Sequence, residues 1–453
     1  MSDPAQLSFD EGFWLALLLL QILGLYGWCW TRSRRRLAWF QPPVVLSVVF
    51  LYYTVFGPLQ ALSQGDWFDR GVNLRYGFDI AWAGAAVAFA SFLVGFGLLR
   101  QQLRQPKAAT SCDSRQAWRL GRRLNLIGIA LFALISGPRL LVLLNPLTAR
   151  QAEVVARGLD LGPFANYAGL AINLLIPGIL LMTAAWIKSR PNPSELGLWF
   201  VVAAGIYTTL GFRYRLALLL SGMLILWFLA RGRQPNALLV IPSIIGLLAV
   251  GGLIGLTRAY GRGLDLSAVE GLGFWEIVLA GFGESKIFLT SGGVMTLVPG
   301  EIPYAGMTPL INTLLFPIPS ALLPGKNSAD YLADATAEVY GSSIHNAGAA
   351  FLNYAEYFLM GGWPVLIAGY VLLGWLCRRL WLWFLWRQQE PIAQVTYVCA
   401  VVYLYVVVSR GYLPQVVMLF AFTVLPLFIY YYRIAKPRVL TFAPDPASAA
   451  QHL

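Results

Sequence analysis

The chain is poor in the residues from which most soluble active sites are built. Only four of its 453 residues are cysteine, two are histidine, and charged residues make up 12%. No cysteine pair has the spacing of a metal site, and no cysteine falls in a segment that we place outside the membrane. We therefore expect no bound metal, no other cofactor and no disulfide framework. No internal repeat, heptad array or low-complexity segment is present.

Apolar residues are abundant instead, at 58% of the chain. A helix needs about 20 apolar residues to cross the hydrocarbon core of a bilayer. Eleven stretches approach or exceed this length, which predicts an all-α polytopic membrane protein with about eleven transmembrane helices. The predicted spans are 12–30, 43–62, 80–99, 124–144, 164–187, 196–212, 216–230, 237–257, 347–377, 391–408 and 414–432.

The charged residues are sorted between the two sides of this arrangement. If the N-terminus lies outside, the inner segments carry 21 of the 33 Lys and Arg but only four of the 21 acids. This distribution obeys the positive-inside rule, so the net charge of +12 is a topology signal. Nucleic acid is not an expected partner, because no soluble basic domain exists to hold it. Since its positive charges follow it, the first stretch is expected to remain a span.

One loop is much longer than the others and lies on the outer side. It alternates weakly apolar runs with Gly and Pro, which predicts short helices, some on the membrane surface. Long loops of this kind are usually functional. The predicted organisation is an N-terminal transmembrane bundle (1–257), a large extracytoplasmic loop (258–346), C-terminal transmembrane helices (347–438) and a disordered tail (439–453).

Arginine is concentrated at the predicted outer surface. Ionisable groups at this depth are costly and commonly functional, and arginine grips phosphate through two parallel hydrogen bonds. These arginines predict a site for an anionic head group such as a polyprenyl diphosphate; alternatively, they snorkel to lipid phosphates. The arginines are Arg139, Arg213, Arg215, Arg258, Arg262 and Arg410. Tyrosines at the same level either stack on sugars or form an interfacial belt: Tyr207, Tyr214, Tyr260, Tyr340 and Tyr354.

His345 is the only histidine outside the C-terminal tail. A neutral imidazole is a natural general base for a sugar hydroxyl, although a capping role is the alternative. If 345–358 were one helix, Glu356 would share its face but lie about 16 Å away. Glu338 is therefore the candidate to orient the imidazole. Glu356, Asn346 and Tyr214 are candidate substrate-binding residues.

Two short stretches carry a family resemblance. The sequence HNAGAAFLNYAEYFLMGGWP (345–364) resembles the His-Asn…Leu…Gly-x-x-Gly region of the bacterial O-antigen polymerase and O-antigen ligase superfamily. The turn GFRYRLALLL (211–220), placed before the long outer loop, is similar to that superfamily's short helix with an outer arginine. Ligases usually have a second histidine just before the His-Asn pair, whereas this chain has Ser343 and Ile344 there.

The resemblance implies a metal-independent, inverting glycosyltransferase in the bacterial inner membrane. Its donor would be an oligosaccharide on undecaprenyl diphosphate, and a chain-length regulator is a further candidate partner. His345 matches the base, Arg213 or Arg215 the hairpin arginine, and Arg258 or Arg262 the loop arginine. Arg410 has no counterpart in the motif and is added on charge and depth alone.

Three alternatives to a repeat-unit polymerase stay open. A ligase would transfer the glycan to a different lipid acceptor by the same chemistry. A transporter or flippase of the lipid-linked glycan would carry charges in a central cavity, and usually repeated halves. A metal-dependent transferase would use Asp66 and Asp69 of the first outer loop as ligands.

Overall fold

The computed structural model describes residues 6–31, 37–98, 109–110, 114–147, 158–259, 263–319, 322–323, 330–341, 350–433 and 437–438. Over these residues the protein is a helical bundle. The helices are α1 (Phe9–Thr31), α2 (Pro42–Phe50), α3 (Gly57–Gln64), α4 (Phe78–Leu98), α5 (Ser114–Ser136), α6 (Arg139–Leu143), α7 (Ala165–Leu170), α8 (Leu175–Ser189), α9 (Pro193–Thr209), α10 (Arg213–Ala230), α11 (Ala237–Thr257), α12 (Phe274–Ala280), α13 (Ile287–Leu297), α14 (Thr308–Leu315), α15 (Tyr331–Tyr340), α16 (Asn353–Leu385), α17 (Pro391–Val402), α18 (Leu404–Ser409), α19 (Leu413–Thr423) and α20 (Leu425–Arg433).

Strands are few and short. Three antiparallel pairs of two-residue strands occur in the described part of the chain. They are β1 (Phe68–Asp69) with β2 (Val72–Asn73), β3 (Ala109–Thr110) with β6 (Pro437–Arg438), and β4 (Arg258–Ala259) with β5 (Gly263–Leu264). They tie connections together and leave the helices to form the core.

Eight helices of the described chain are long and apolar enough to cross a membrane. The pair α19 and α20, bent by 44°, makes a ninth if it counts as one span. The prediction of an all-α, multi-pass membrane protein is confirmed at this level. The predicted spans 124–144 and 196–212 are not among them. α9 has only 17 residues, and α5 begins earlier than predicted, with a basic first half, and ends at Ser136, before Gly137 and Pro138.

α4 and α16 cross closely. A Cβ on Gly95 would lie 2.0 Å from the carbonyl oxygen of Val371, and one on Gly374 would lie 2.2 Å from that of Phe92. Each glycine therefore lets the opposite backbone approach. Small residues are the usual means of close packing between membrane helices, where lipid offers no hydrophobic drive to associate.

Gly95→Ala is expected to lower thermal stability, because the added methyl group must force the two backbones apart. Overpacking of this kind costs about 1–3 kcal/mol. Gly97→Ala on the same helix is the matched control, since a Cβ there meets nothing within 4 Å. Thermal unfolding in detergent should separate the two variants. Equal midpoints would show that the α4–α16 crossing is looser than described.

The segment between α11 and α16 contains the short helices α12 to α15. At least one of these helices is buried inside the protein. α13 is largely buried and packs against α4 and against the turn just before it, where Gly77 and Gly292 approach closely. This part of the predicted loop thus belongs to the same bundle as the spans.

α16 begins at Asn353 and is interrupted at Gly361 and Gly362, whose backbone angles are not helical. Residues 350–352 lie outside any helix. The assumption that 345–358 is one helix is therefore wrong, and the spacing between His345 and Glu356 does not place them on a common face. At the interruption, Leu359 accepts a hydrogen bond from the backbone N–H of Ala305, at 2.9 Å, which anchors the preceding loop.

Candidate functional site

Several span ends meet at one end of the bundle. Arg213 is the first residue of α10, Thr257 is the last of α11, and Arg410 follows α18 directly. α10 runs away from this end of the bundle and α11 runs back to it. The start of α10 at Arg213 and the end of α11 at Thr257 therefore lie at the same end. Ionisable side chains at such ends can contact both headgroups and bundle interior.

Arg213 lies on the interior side of this end. Its side chain is 11% exposed, and its Nε is 3.4 Å from Glu284 Oε1, an ion pair without hydrogen-bond geometry. Tyr405 donates a hydrogen bond to the other oxygen of Glu284 at 3.0 Å, and Tyr53 donates to Tyr405 at 2.8 Å. A Cβ on Gly255 would lie 2.7 Å from the guanidinium. Glu284 and Gly255, from two separate parts of the chain, therefore enclose this cation, and Tyr405 holds Glu284 in position.

Arg215 has a different environment, although it is only two residues away. It is 4% exposed, and its Nε donates to Asn173 Oδ1 at 2.9 Å. Its guanidinium carbon lies 4.2 Å from the ring centre of Phe212 and 5.6 Å from that of Tyr207. Arg215 thus faces other helices and contributes to packing through cation–π contacts.

Tyr214 lies between two guanidinium groups. The guanidinium carbons of Arg215 and Arg410 are each 5.5 Å from its ring centre, and the side chain is buried. Its aromatic ring therefore already serves as a partner for protein cations. Tyr207, Tyr340 and Tyr354 are buried as well, so none of these three candidates for sugar stacking offers a free face.

A cavity of about 300 Å³ opens beside Arg213. Its charged walls are Arg213, Lys286 and Asp66, and its apolar walls include Leu256 and Leu279. The cavity is formed by α3, the ends of α11 and α12, and the segment that leads into α13. Pockets of this size, with a few convergent polar groups, are typical small-ligand sites.

Glu356 is 1% exposed and accepts two hydrogen bonds. One comes from the Tyr331 hydroxyl and the other from the backbone N–H of Leu413, at 2.7 Å. It joins the starts of α15, α16 and α19. Burial and this carboxylate raise the pKa of Tyr331, which stays a neutral donor. Glu356 therefore lies in the buried core, where it connects three helices, and it does not line the cavity.

Of the other predicted residues, Glu338, Arg139 and Arg410 do not line the cavity. Glu338 is exposed on α15. Arg258 is in β4, opposite Leu264. His345, Asn346 and Arg262 lie outside the described residues. Arg139, at the start of α6, is half-buried.

The two acids proposed as metal ligands are engaged with other side chains. Lys286 Nζ lies 2.8 Å from Asp66 Oδ2, and the Tyr340 hydroxyl donates to Asp69 at 2.6 Å. Burial, then this hydrogen bond, raise the pKa of Tyr340, so it remains a donor. Over the residues that the structure describes, no three His, Cys, Asp or Glu side chains are placed to share a metal ion.

Three residues of the candidate site are not predicted from the sequence: Lys286, Glu284 and Gly255. Glu284 and Lys286 are the charged pair in GFGESKIFL, within a mostly apolar stretch. Two charges within an apolar stretch are the sequence feature that could have pointed to these residues. Their partners, Arg213 and Asp66, are far away in sequence, so the pairing itself could not be inferred.

Comparison with known proteins adds no relative. No family model, no curated protein and no solved structure matches this chain. The fold and the candidate site define a multi-pass helical membrane protein with a partly cationic cavity at one end of its bundle.

Proposed function

We propose that this protein polymerises oligosaccharide repeat units carried on undecaprenyl diphosphate, by inverting and metal-independent glycosyl transfer. The observation that carries the proposal is the position of Arg213. Its guanidinium is held in place by Glu284 and Gly255 and forms one wall of a cavity at the ends of the spans. A departing diphosphate requires a positioned cation that stabilises the negative charge developing on it.

In the proposed reaction, a hydroxyl oxygen of the acceptor glycan attacks the anomeric carbon of the donor. The bond from that carbon to the diphosphate oxygen breaks, and the electron pair leaves with the undecaprenyl diphosphate. His345, assigned from the sequence alone, takes the hydroxyl proton. Arg213 stabilises the charge that develops on the leaving group, and it needs no protonation step to do so.

The charge distribution of the loops supports an orientation with the N-terminus outside and the C-terminus in the cytoplasm of a bacterial inner membrane. The cavity then lies at the outer leaflet. This is the side on which a lipid-linked repeat unit would meet the growing chain.

The proposal predicts a product ladder when the purified protein is incubated, without metal and with EDTA, with an undecaprenyl-diphosphate-linked repeat unit. His345→Ala should lower the rate by about 10²–10⁴, because the general base is lost. Gel electrophoresis of the products measures both. A ladder of wild-type length from the variant would refute the base assignment.

Two further outcomes separate the alternatives. Activity that EDTA abolishes would favour a metal-dependent transferase. Transfer to a second lipid acceptor, with no ladder from the repeat unit alone, would identify a ligase.

A further inference from the structure

The cavity beside Arg213 has walls of two kinds. Leu256 and Leu279 line it and are also exposed, by 38% and 45% of their surface. Leu256 belongs to α11, the candidate span with the smallest buried share, 11% of its most apolar window. A span this exposed in a membrane protein faces lipid. The apolar side of the cavity therefore opens next to the bilayer.

The polar side of the cavity contains a second cation, Lys286. Its Nζ lies 2.8 Å and 3.0 Å from the two carboxylate oxygens of Asp66 and 3.4 Å from the carbonyl oxygen of Phe68. The Lys286 and Asp66 side chains are 37% and 47% exposed. Exposed ion pairs contribute little net free energy, so a multivalent anion can displace Asp66 from Lys286.

Arg213 and Lys286 differ in the stiffness of their surroundings. Arg213 is enclosed by Gly255 and Glu284, whereas Lys286 is at the rim on a flexible stem. A fixed guanidinium offers a bidentate grip, and a mobile ammonium adds a point charge. Two phosphates joined to one chain present suitable charges for both.

We infer that Lys286 is a second binding residue for the phosphate-bearing headgroup of a membrane lipid, which enters this cavity sideways from the bilayer along α11. The inference rests on the proposed function and adds to it a residue and a route. The headgroup lies between Arg213 and Lys286, and the hydrocarbon chain leaves past Leu256 and Leu279. A cavity of about 300 Å³ has room for a headgroup but not for a long polyprenyl chain, so the chain stays in the membrane.

Binding of undecaprenyl diphosphate to the full chain in phosphatidylcholine nanodiscs tests the residue. Lys286→Gln should weaken binding about tenfold, as expected for loss of one charge-assisted contact. Asp66→Asn should strengthen it, because Lys286 loses its competitor. Lys188→Gln is the matched control. Lys188 lies at the end of α8 and donates to the carbonyl oxygen of Gln389, far along the chain from the cavity residues.

Unchanged affinity in Lys286→Gln, with loss of affinity in Arg213→Gln, would overturn the inference and leave the proposed function intact. A wild-type protein that forms a product ladder but shows no response to either Lys286→Gln or Asp66→Asn would overturn the inference in the same way. A wild-type protein that neither binds the lipid nor forms product would overturn the proposed function itself.

The source of the phosphate and the route are tested separately. Inorganic pyrophosphate should bind much more weakly than undecaprenyl diphosphate, and equal affinities would overturn the membrane route.

A photoreactive benzoylphenylalanine in place of Leu279 should cross-link to the bound lipid. The same group in place of Leu198, an exposed residue of α9, should not. Equal cross-linking at both positions would mean that the contact is with bulk lipid only, which would also overturn the membrane route.

Discussion

Arg213→Gln is expected to lower the rate of glycosyl transfer by about a hundredfold or more. The substitution removes the fixed positive charge that faces the leaving diphosphate, while Glu284 keeps its hydrogen bond from Tyr405. Arg213→Lys should recover part of the rate, because lysine restores the charge but not the bidentate grip. Product formation and binding of undecaprenyl diphosphate, measured on the same preparations, give the two values needed.

Two variants provide the controls for this prediction. Arg215→Gln removes a guanidinium two residues away that contacts Asn173 and aromatic rings. It should lower the unfolding midpoint and leave donor affinity unchanged. Gly255→Ala keeps every charge and displaces the Arg213 guanidinium, so it should reduce the rate with little loss of stability. If Arg213→Gln and Arg215→Gln behaved alike, the assignment of the site to Arg213 would fail.

Glu356→Ala is expected to destabilise the protein by about 2–3 kcal/mol. The change leaves the Tyr331 hydroxyl and the backbone N–H of Leu413 buried without their acceptor, and each carries a desolvation cost. The starts of α15, α16 and α19 lose their common anchor. Thermal unfolding in detergent measures the loss.

Glu356→Gln is the matched variant, because the amide oxygen can still accept from both donors. It should recover much of the stability lost in Glu356→Ala. The sequence-based prediction is that Glu356 binds substrate. That role predicts a different combination of donor affinity and unfolding midpoint. Lower donor affinity in Glu356→Gln, with an unchanged unfolding midpoint, would favour the binding role over the structural one.

The membrane spans are the part of the fold that the sequence alone predicts best. The stretches 12–30, 80–99 and 237–257 each coincide with a candidate membrane-spanning helix of the described chain. An apolar run of about 20 residues predicts a span because the requirement is local: each backbone group bonds within its own helix. The predicted span 124–144 differs from α5, which begins at Ser114 and ends at Ser136, before Gly137 and Pro138.

For the candidate site, the sequence singled out Arg213 but not its neighbours Glu284, Gly255 and Lys286. A charge next to an apolar run is visible without any fold, so arginines at span ends could be singled out. Whether such a charge faces a cavity, as Arg213 does, or a cluster of rings, as Arg215 does, depends on which helices pack beside it. Two residues of separation on one helix change the facing side.

The amino-acid sequence by itself determined that the chain crosses a membrane several times through helices, because hydrophobic length and loop charge are properties of short segments. Only the tertiary structure decided which charges are partners. Arg213 with Glu284, Lys286 with Asp66, and Glu356 with Tyr331 and Leu413 all join residues from different helices or loops. Electrostatic and hydrogen-bonding energies depend on distances of a few ångströms, and packing of the whole bundle sets those distances.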